Sequence, residues 1–418
     1  MPTRYLLVFA ILYCLLSCSS EKASNTESRK TQISRNSFQQ DIDFLKQYTA
    51  LLVLQDPDGQ GVIAVAPALQ GRVMTSSATG QQGRSHGWIN RPLFESGDTL
   101  EQINAFGGEE RFWLGPEGGQ YSLFFEKGAP FALENWRTPR LIDLDAFEVA
   151  EKTTQKAVFT RQAKLTNYAD FTFEFDIERI VEVLSPEETF RSLGLDTTKG
   201  IRVVGYQTTN TLTNTGTQAW RKETGLLSIW LLGMFNPSDE TTVVLPYQPK
   251  KEGDTGPIVN DVYFGKVPES RLKPGKGVVY FKGDGKYRSK IGLSPERARD
   301  LLGAYDSDSK ILTIVTYNKP EGLPDYVNAL WEFQEEPYRG DVVNTYNDGP
   351  PEPGKDPLGP FYELETSSPA LALKSGESGT HIQQTYHFEG EESALNEIAV
   401  QLLGVSLEEI ENAFSNGQ

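Results

Sequence analysis

Cysteine is nearly absent. Only Cys14 and Cys18 occur among 418 residues, both close to the N-terminus. The body of the chain therefore offers no disulfide and no thiol nucleophile. Histidine is scarce as well, at His86, His381 and His387. No H-x-H or H-E-x-x-H spacing links them, so a zinc site has no support. Neither a G-x-S-x-G elbow nor a phosphate-cradling P-loop is present, which leaves serine-nucleophile chemistry and nucleotide binding without a signal. Positive charge is in deficit: 40 Lys and Arg stand against 57 Asp and Glu, a formal net charge of -17. That balance excludes nucleic acid or an anionic bilayer as a partner held by charge. No apolar run is long enough to span a bilayer as a helix. The one metal the composition leaves open is a hard cation such as calcium, on clustered carboxylates.

What is present begins with a leader. Arg4 precedes an apolar run, Tyr5 to Leu16, that ends in Leu15-Leu16-Ser17-Cys18. This resembles a bacterial lipobox, which implies cleavage before Cys18 and lipidation of its sulfur. Residues 1–17 thus read as a lipoprotein signal peptide. Residues 18–37 read as the lipidated cysteine and a flexible polar tether, too poor in apolar side chains to fold alone. The expected location is the cell envelope, with the body in the periplasm or at the cell surface. Residues 38–418 read as a single domain, since no composition shift divides them.

The domain's sequence is dominated by short runs of β-branched and aromatic residues separated by Gly, Pro and Asp. Phe171-Thr172-Phe173-Glu174-Phe175-Asp176-Ile177-Glu178 alternates apolar with polar and predicts a half-buried strand. Leu51 to Leu54, Gly61 to Ala66, Gly71 to Ser76, Ile201 to Leu212, Gly225 to Leu232, Thr241 to Leu245, Gly277 to Phe281, Ile311 to Tyr317 and Ala329 to Phe333 read as strands too. Phe147 to Thr166 reads as a long hairpin. The fold class is all-β: antiparallel sheets in a sandwich, with few short helices. Helices are expected near Phe38 to Leu51, from the Ser294-Pro295 start to Gly303, and over Ser393 to Ala413, where Ser406 and Glu409 form a capping box.

Two stretches concentrate candidate chemistry. Asn104 to Phe125 holds five glycines, Glu109, Glu110, Glu117, Arg111 and Trp113. Its glycines rule out a helix, so it reads as a shaped loop carrying charge and delivering a strand at Tyr121 to Glu126. The second stretch runs from Gly359 to Phe388. If Phe361 to Thr366 is a strand, Glu363 and Glu365 share one face, roughly 7 Å apart. Inside a concavity each carboxylate would raise the other's pKa and suit a general base or a metal ligand; facing outward they are two solvated charges. Trp88 and Asn90 fall in an aromatic-bearing loop read over Gly80 to Gly97, and Trp113, Trp136, Phe361 and Tyr362 lie in or beside the two stretches. Rings stacking on sugar C–H faces, with carboxylates and amides taking hydroxyls, would make this a carbohydrate site; tryptophans packed as core are the other reading. A Gly- and Pro-rich loop, Asn347 to Pro360, is placed to border such a site.

The order of V-I-A-V-A-P-A-L-Q-G-R-V, G-G-E-E-R-F-W, L-T-N-T-G-T-Q-A-W (Leu212 to Trp220) and Y-E-L-E followed by L-K-S-G-E-S resembles the galactose-mutarotase-like group, which includes aldose 1-epimerases. The resemblance spans roughly residues 50 to 390. It implies a β-supersandwich with a sugar-binding groove. It also implies Arg111 as a sugar-binding arginine and Glu365, or else Glu363, as the base; Glu109, Trp113, Trp88 and Asn90 are the further candidate sugar-binding residues. The group's central histidine is expected after the L-T-N-T motif, but Arg221 to Phe235 contains none. His86 or His381 would have to supply the acid. The implied activity is carbohydrate binding, with action on an anomeric centre left open. The alternative is a non-catalytic protein-binding module of an envelope assembly.

Overall fold

The computed structural model describes residues 36–196, 200–250 and 256–415. The leader, Cys18 and nearly all of the tether fall outside these residues. The described body contains three antiparallel sheets of three, ten and five strands. The ten-stranded sheet runs from Leu272–Pro274 at one edge to Glu148–Lys152 at the other. Its middle is the long pairing of Ile201–Asn214 with Ser378–Gly390, flanked by Thr172–Leu184 and Ile311–Tyr317. The five-stranded sheet has the spatial order Ser289–Leu293, Val343–Asn347, Tyr362–Ser367, Ser228–Phe235, Arg111–Gly115. Leu52–Gln55, Val62–Ala66 and Arg72–Ser77 form the third.

The larger sheets pack face to face, as strand alternation requires when each has one apolar face. Val243, Leu245, Val279 and Phe281 of the ten-stranded sheet bury against Tyr362, Leu364, Val343 and Ile291 of the five-stranded one. Polar side chains cross this gap as well. Glu110 meets Arg179 at 2.9 Å and accepts from Gln383 Nε2 at 2.9 Å. The helices Glu392–Leu403 and Leu407–Glu411 cover the other face of the large sheet through Leu395, Ile398 and Leu402, packed on Tyr386 and Phe388. The Ser406–Glu409 capping box is present. A helix over Phe38–Leu45, capped by Ser37, opens the domain.

Three expected elements differ, each for a local reason. Ser294 starts only a single turn, its carbonyl accepting from Arg297 N and Ala298 N, before the strand Leu301–Asp306 takes over. Lys319 Nζ satisfies the Pro295 and Ala298 carbonyls that a longer helix would have used. Tyr121 to Glu126 is not a strand; the strand is Arg111–Gly115, inside the glycine-rich stretch. Phe124 and Phe125 instead turn into an aromatic layer, stacked on Trp136 at 5.7 Å and set edge-on to Trp331 at 5.2 Å. Ala329 to Phe333 is irregular as well. Side-chain amides hold it rather than a ladder: Gln334 Nε2 donates to the Asn328 and Leu330 carbonyls, and Gln334 N donates to Gln120 Oε1. Part of the loop expected over Gly80 to Gly97 is the short helix Arg91–Ser96.

Candidate functional site

Alternation along the five-stranded sheet decides which side chains meet. Tyr362 and Leu364 face the large sheet, so Glu363 and Glu365 face away from it. Register places Lys290, Tyr346, Glu363 and Met234 in one cross-strand row, and Asn344, Glu365, Leu232 and Arg111 in the next. The ion pairs run diagonally between the rows. Arg111 donates to Glu363, and Lys290 Nζ lies 2.9 Å from Glu365 Oε2. Each pair also skips a strand, Val343–Asn347 for Lys290 and Ser228–Phe235 for Arg111, so its partners lie two strand spacings, roughly 10 Å, apart across the sheet, a span that only long side chains bridge.

Indoles support both cations. The Arg111 guanidinium lies 4.8 Å from the Trp113 ring centroid and Lys290 Nζ 4.6 Å from that of Trp230. The two rings meet edge to face at 5.5 Å. Trp230 Nε1 donates to Glu365 Oε2 at 2.9 Å. Above this floor opens a groove of about 290 Å³, near the lower end of small-molecule clefts (roughly 300–1,000 Å³). Trp113, Trp136, Trp230 and Trp331 line it, and the Asn347 to Pro360 loop borders it through Asp348, Gly349, Pro351 and Leu358. Gly359 lets that loop seat: a Cβ there would come 2.0 Å from Trp88 Cζ2.

Burial shapes the ionisation of the groove. It pushes the Glu363 carboxyl up to about 7, against the pull of Arg111. It pushes Glu117 up as well, against Lys290. For Lys290 burial acts downward, but the carboxylates of Glu365 and Glu117 outweigh it and hold the ammonium raised. Several buried polar atoms here have no hydrogen-bond partner among the described residues: Trp113 Nε1, Trp136 Nε1, Arg111 Nε and Glu365 Oε1. Buried donors and acceptors are normally satisfied, so these call for a further partner.

The structure gathers Arg111, Trp113 and Glu363 at the groove, with Glu365 beneath it and Trp136 in its wall. It places the other expected residues elsewhere. Trp88 packs on Phe361 at 4.7 Å, behind the wall that Phe361 forms. Asn90 is committed to backbone: it caps Arg91–Ser96 and donates to the Ala105 carbonyl. Glu109 precedes the strand, so strand alternation does not carry it to the Arg111 face. It is fully buried against His387 Nε2 at 3.0 Å and Ser76. His381 shares a hydrogen bond with Thr366 Oγ1 at 2.8 Å. Thr366 points away from the Glu365 face, so a strand's thickness separates His381 from the groove. Burial lowers its pKa to about 3. His86 and His387 stack on one another at 4.2 Å, outside the groove. No histidine therefore lines it.

Glu117, one of the charges of the glycine-rich stretch, lines the groove too, whereas Lys290, Trp230 and Trp331 were not singled out by sequence. Among the described residues no group of three or more His, Cys, Asp or Glu is placed to hold a metal ion. No helix among them is long and apolar enough to cross a membrane.

An antiparallel β-sandwich carrying a tryptophan-lined groove on its smaller sheet defines the class. Within it, the chain belongs to a family of unknown function (DUF6786), whose model matches residues 36–414. Similar solved structures include a putative aldose 1-epimerase from Escherichia coli K12. It is 11% identical, with a TM-score of 0.47, over 82% of this chain and 100% of that one. A galactose mutarotase-like protein from Lactobacillus casei ATCC 334 is 12% identical, with a TM-score of 0.45, over 81% and 100%. A putative mutarotase from Salmonella typhimurium is 11% identical, with a TM-score of 0.44, over 82% and 92%. No curated protein matches the chain.

Proposed function

We propose that the groove binds a carbohydrate. The observation that carries this reading is the composition of one face of one sheet. Four indoles line a cavity of about 290 Å³ together with Arg111, Lys290 and Glu363. Flat apolar rings suit the C–H faces of a pyranose, while guanidinium, ammonium and carboxyl groups take its hydroxyls. Two unpaired indole N–H donors in the wall add to the demand for a polyhydroxylated partner. A saccharide panel screened by thermal unfolding tests it. A ligand at 100 times its dissociation constant adds about 2.7 kcal/mol of stability. Trp331 stacks on Trp136 at 5.9 Å and is only partly buried, so Trp331→Ala keeps the fold. Losing one aromatic contact costs about 1–1.5 kcal/mol, so the variant should bind about tenfold more weakly.

A second observation bears on chemistry at the same site. Glu365 is held by Lys290 and Trp230, whereas Glu363 carries a carboxyl raised to about 7. A group that titrates near neutrality is suited to moving a proton to and from a sugar hydroxyl or ring oxygen. On this reading Glu363, not Glu365, is the proton-transfer group. Mutarotation of the sugar that binds, followed by polarimetry, should depend on pH with an inflection near 7 and be lost in Glu363→Gln. Full turnover in that variant would sink the assignment while leaving binding intact.

A further inference from the structure

Three cations line the groove, and two are spoken for. Arg111 is paired with Glu363 and Lys290 with Glu365. The third, Arg288, has no carboxylate within ion-pair distance among the described residues. Its side chain is nevertheless positioned: the guanidinium lies 4.0 Å over the Phe264 ring, and Phe264 packs edge-on to Tyr346 at 5.9 Å. A guanidinium stacked flat on a ring keeps its in-plane N–H donors free for a second partner. Phe264, Tyr346 and Arg288 all line the groove.

The nearest carboxylates are committed. Asp348 accepts from Tyr346 Oη at 2.6 Å and from Gly359 N at 2.8 Å, and it is 1% exposed. Glu117 sits close enough to feel Arg288, but burial pushes it toward its neutral form and Lys290 is the stronger of its cationic neighbours. Asp356 is exposed on the bordering loop. Asp348 and Glu117 feel Arg288 through space, but neither forms an ion pair with it as Glu363 does with Arg111 and Glu365 with Lys290, which leaves its N–H donors for a ligand to take.

We infer that the ligand is an acidic saccharide, whose anionic substituent (a carboxylate, or a sulfate or phosphate ester) is received by Arg288. This rests on the carbohydrate reading of the groove and narrows it to a substrate class. The planar fork of an arginine matches all three oxyanions bidentately, so the geometry fixes the chemistry rather than the ester. Arg288 acts here in binding; the proton-transfer role of Glu363 is independent of it.

The test uses matched series: galactose, glucose and mannose, each with its uronic acid, its 6-sulfate and its 6-phosphate. Affinities are measured on the wild-type protein, Arg288→Gln and Arg288→Lys. The expected result is about tenfold tighter binding of at least one acidic member than of its neutral parent, shrinking as sodium chloride is raised. Arg288→Gln should erase that preference and change neutral-sugar affinity less than threefold, while Arg288→Lys retains part of it. Which acidic series wins distinguishes a uronate from a sulfate or phosphate ester. Neutral sugars binding as tightly as their acidic counterparts, or a preference that survives in Arg288→Gln, would overturn the inference and leave the carbohydrate reading standing. A folded protein that binds no member of the panel would overturn both.

Discussion

Lys290→Met should destabilise the protein by about 3–5 kcal/mol at pH 8, the usual cost of leaving one half of a buried ion pair alone. Glu365 is fully buried, and among the described residues Lys290 is the only cation within 4 Å of it. Trp230 Nε1 remains as a single donor, and Oε1 already lacks one. At the entropy typical of a domain this size the loss lowers the melting midpoint by about 5 °C. The sign of its pH dependence is fixed. Without Lys290 the cost lies in a stranded buried charge, which protonation of the carboxyl removes. The penalty therefore grows as pH rises and shrinks toward pH 5. Adding Glu365→Gln to Lys290→Met removes the stranded charge and should recover most of the stability. A single variant as stable as wild type at pH 8 would show that this pair does not hold the groove floor.

The second large effect comes from His381. Its ring is buried, and desolvation alone lowers its pKa to about 3. The unfolded chain binds a proton there as pH falls through about 6.5, and the folded protein does not until about 3. Stability therefore drops across that window, by up to about 5 kcal/mol for the full 3.5-unit gap. Glu363 works in the opposite sense. Its folded pKa is raised to about 7, so its contribution is complete below about 4.5 and is lost as pH rises to 7. Other carboxylates add their own slopes, so a difference isolates the histidine. Urea unfolding at a series of pH values should give a steeper acid loss for wild type than for His381→Gln. Parallel curves would mean that the imidazole is not held neutral in the core.

Much of the fold was legible because strand alternation is a strong signal. Phe171 to Glu178 and Ile311 to Tyr317 announced themselves, and the antiparallel sandwich follows from many such runs. Misses came where local chemistry imitates something else. Ser294-Pro295 is a good helix start, yet Leu301 and Leu302 gain more by pairing with Thr316 and Val315. The aromatics of Tyr121 to Glu126 have strand propensity but serve as a packed layer behind Trp113 and Trp136.

The site was half legible for the same physical reason. A period of two predicts that Glu363 and Glu365 share a face, and they do. It says nothing about which strand lies beside them. Lys290 is 75 residues from Glu365 in sequence and reaches it diagonally across an intervening strand. Only register reveals that meeting. His381 was a reasonable candidate acid by type, but its parity on Ser378–Gly390 turns it into the gap between the sheets, toward Thr366. Glu109 and Asn90 drew notice because they sit in turning backbone. One proves to be a buried partner of His387 and the other a helix cap.

The central claim is that the tryptophan-lined groove is a saccharide site. Isothermal titration calorimetry of the wild-type protein and Trp331→Ala, against the saccharide giving the largest thermal shift, tests it most directly. The account predicts saturable binding at one site per chain in the wild type, and about tenfold weaker binding in an equally well folded Trp331→Ala. Equal affinity in the two proteins, or no saturable heat from any saccharide with a cooperatively folded sample, would contradict it.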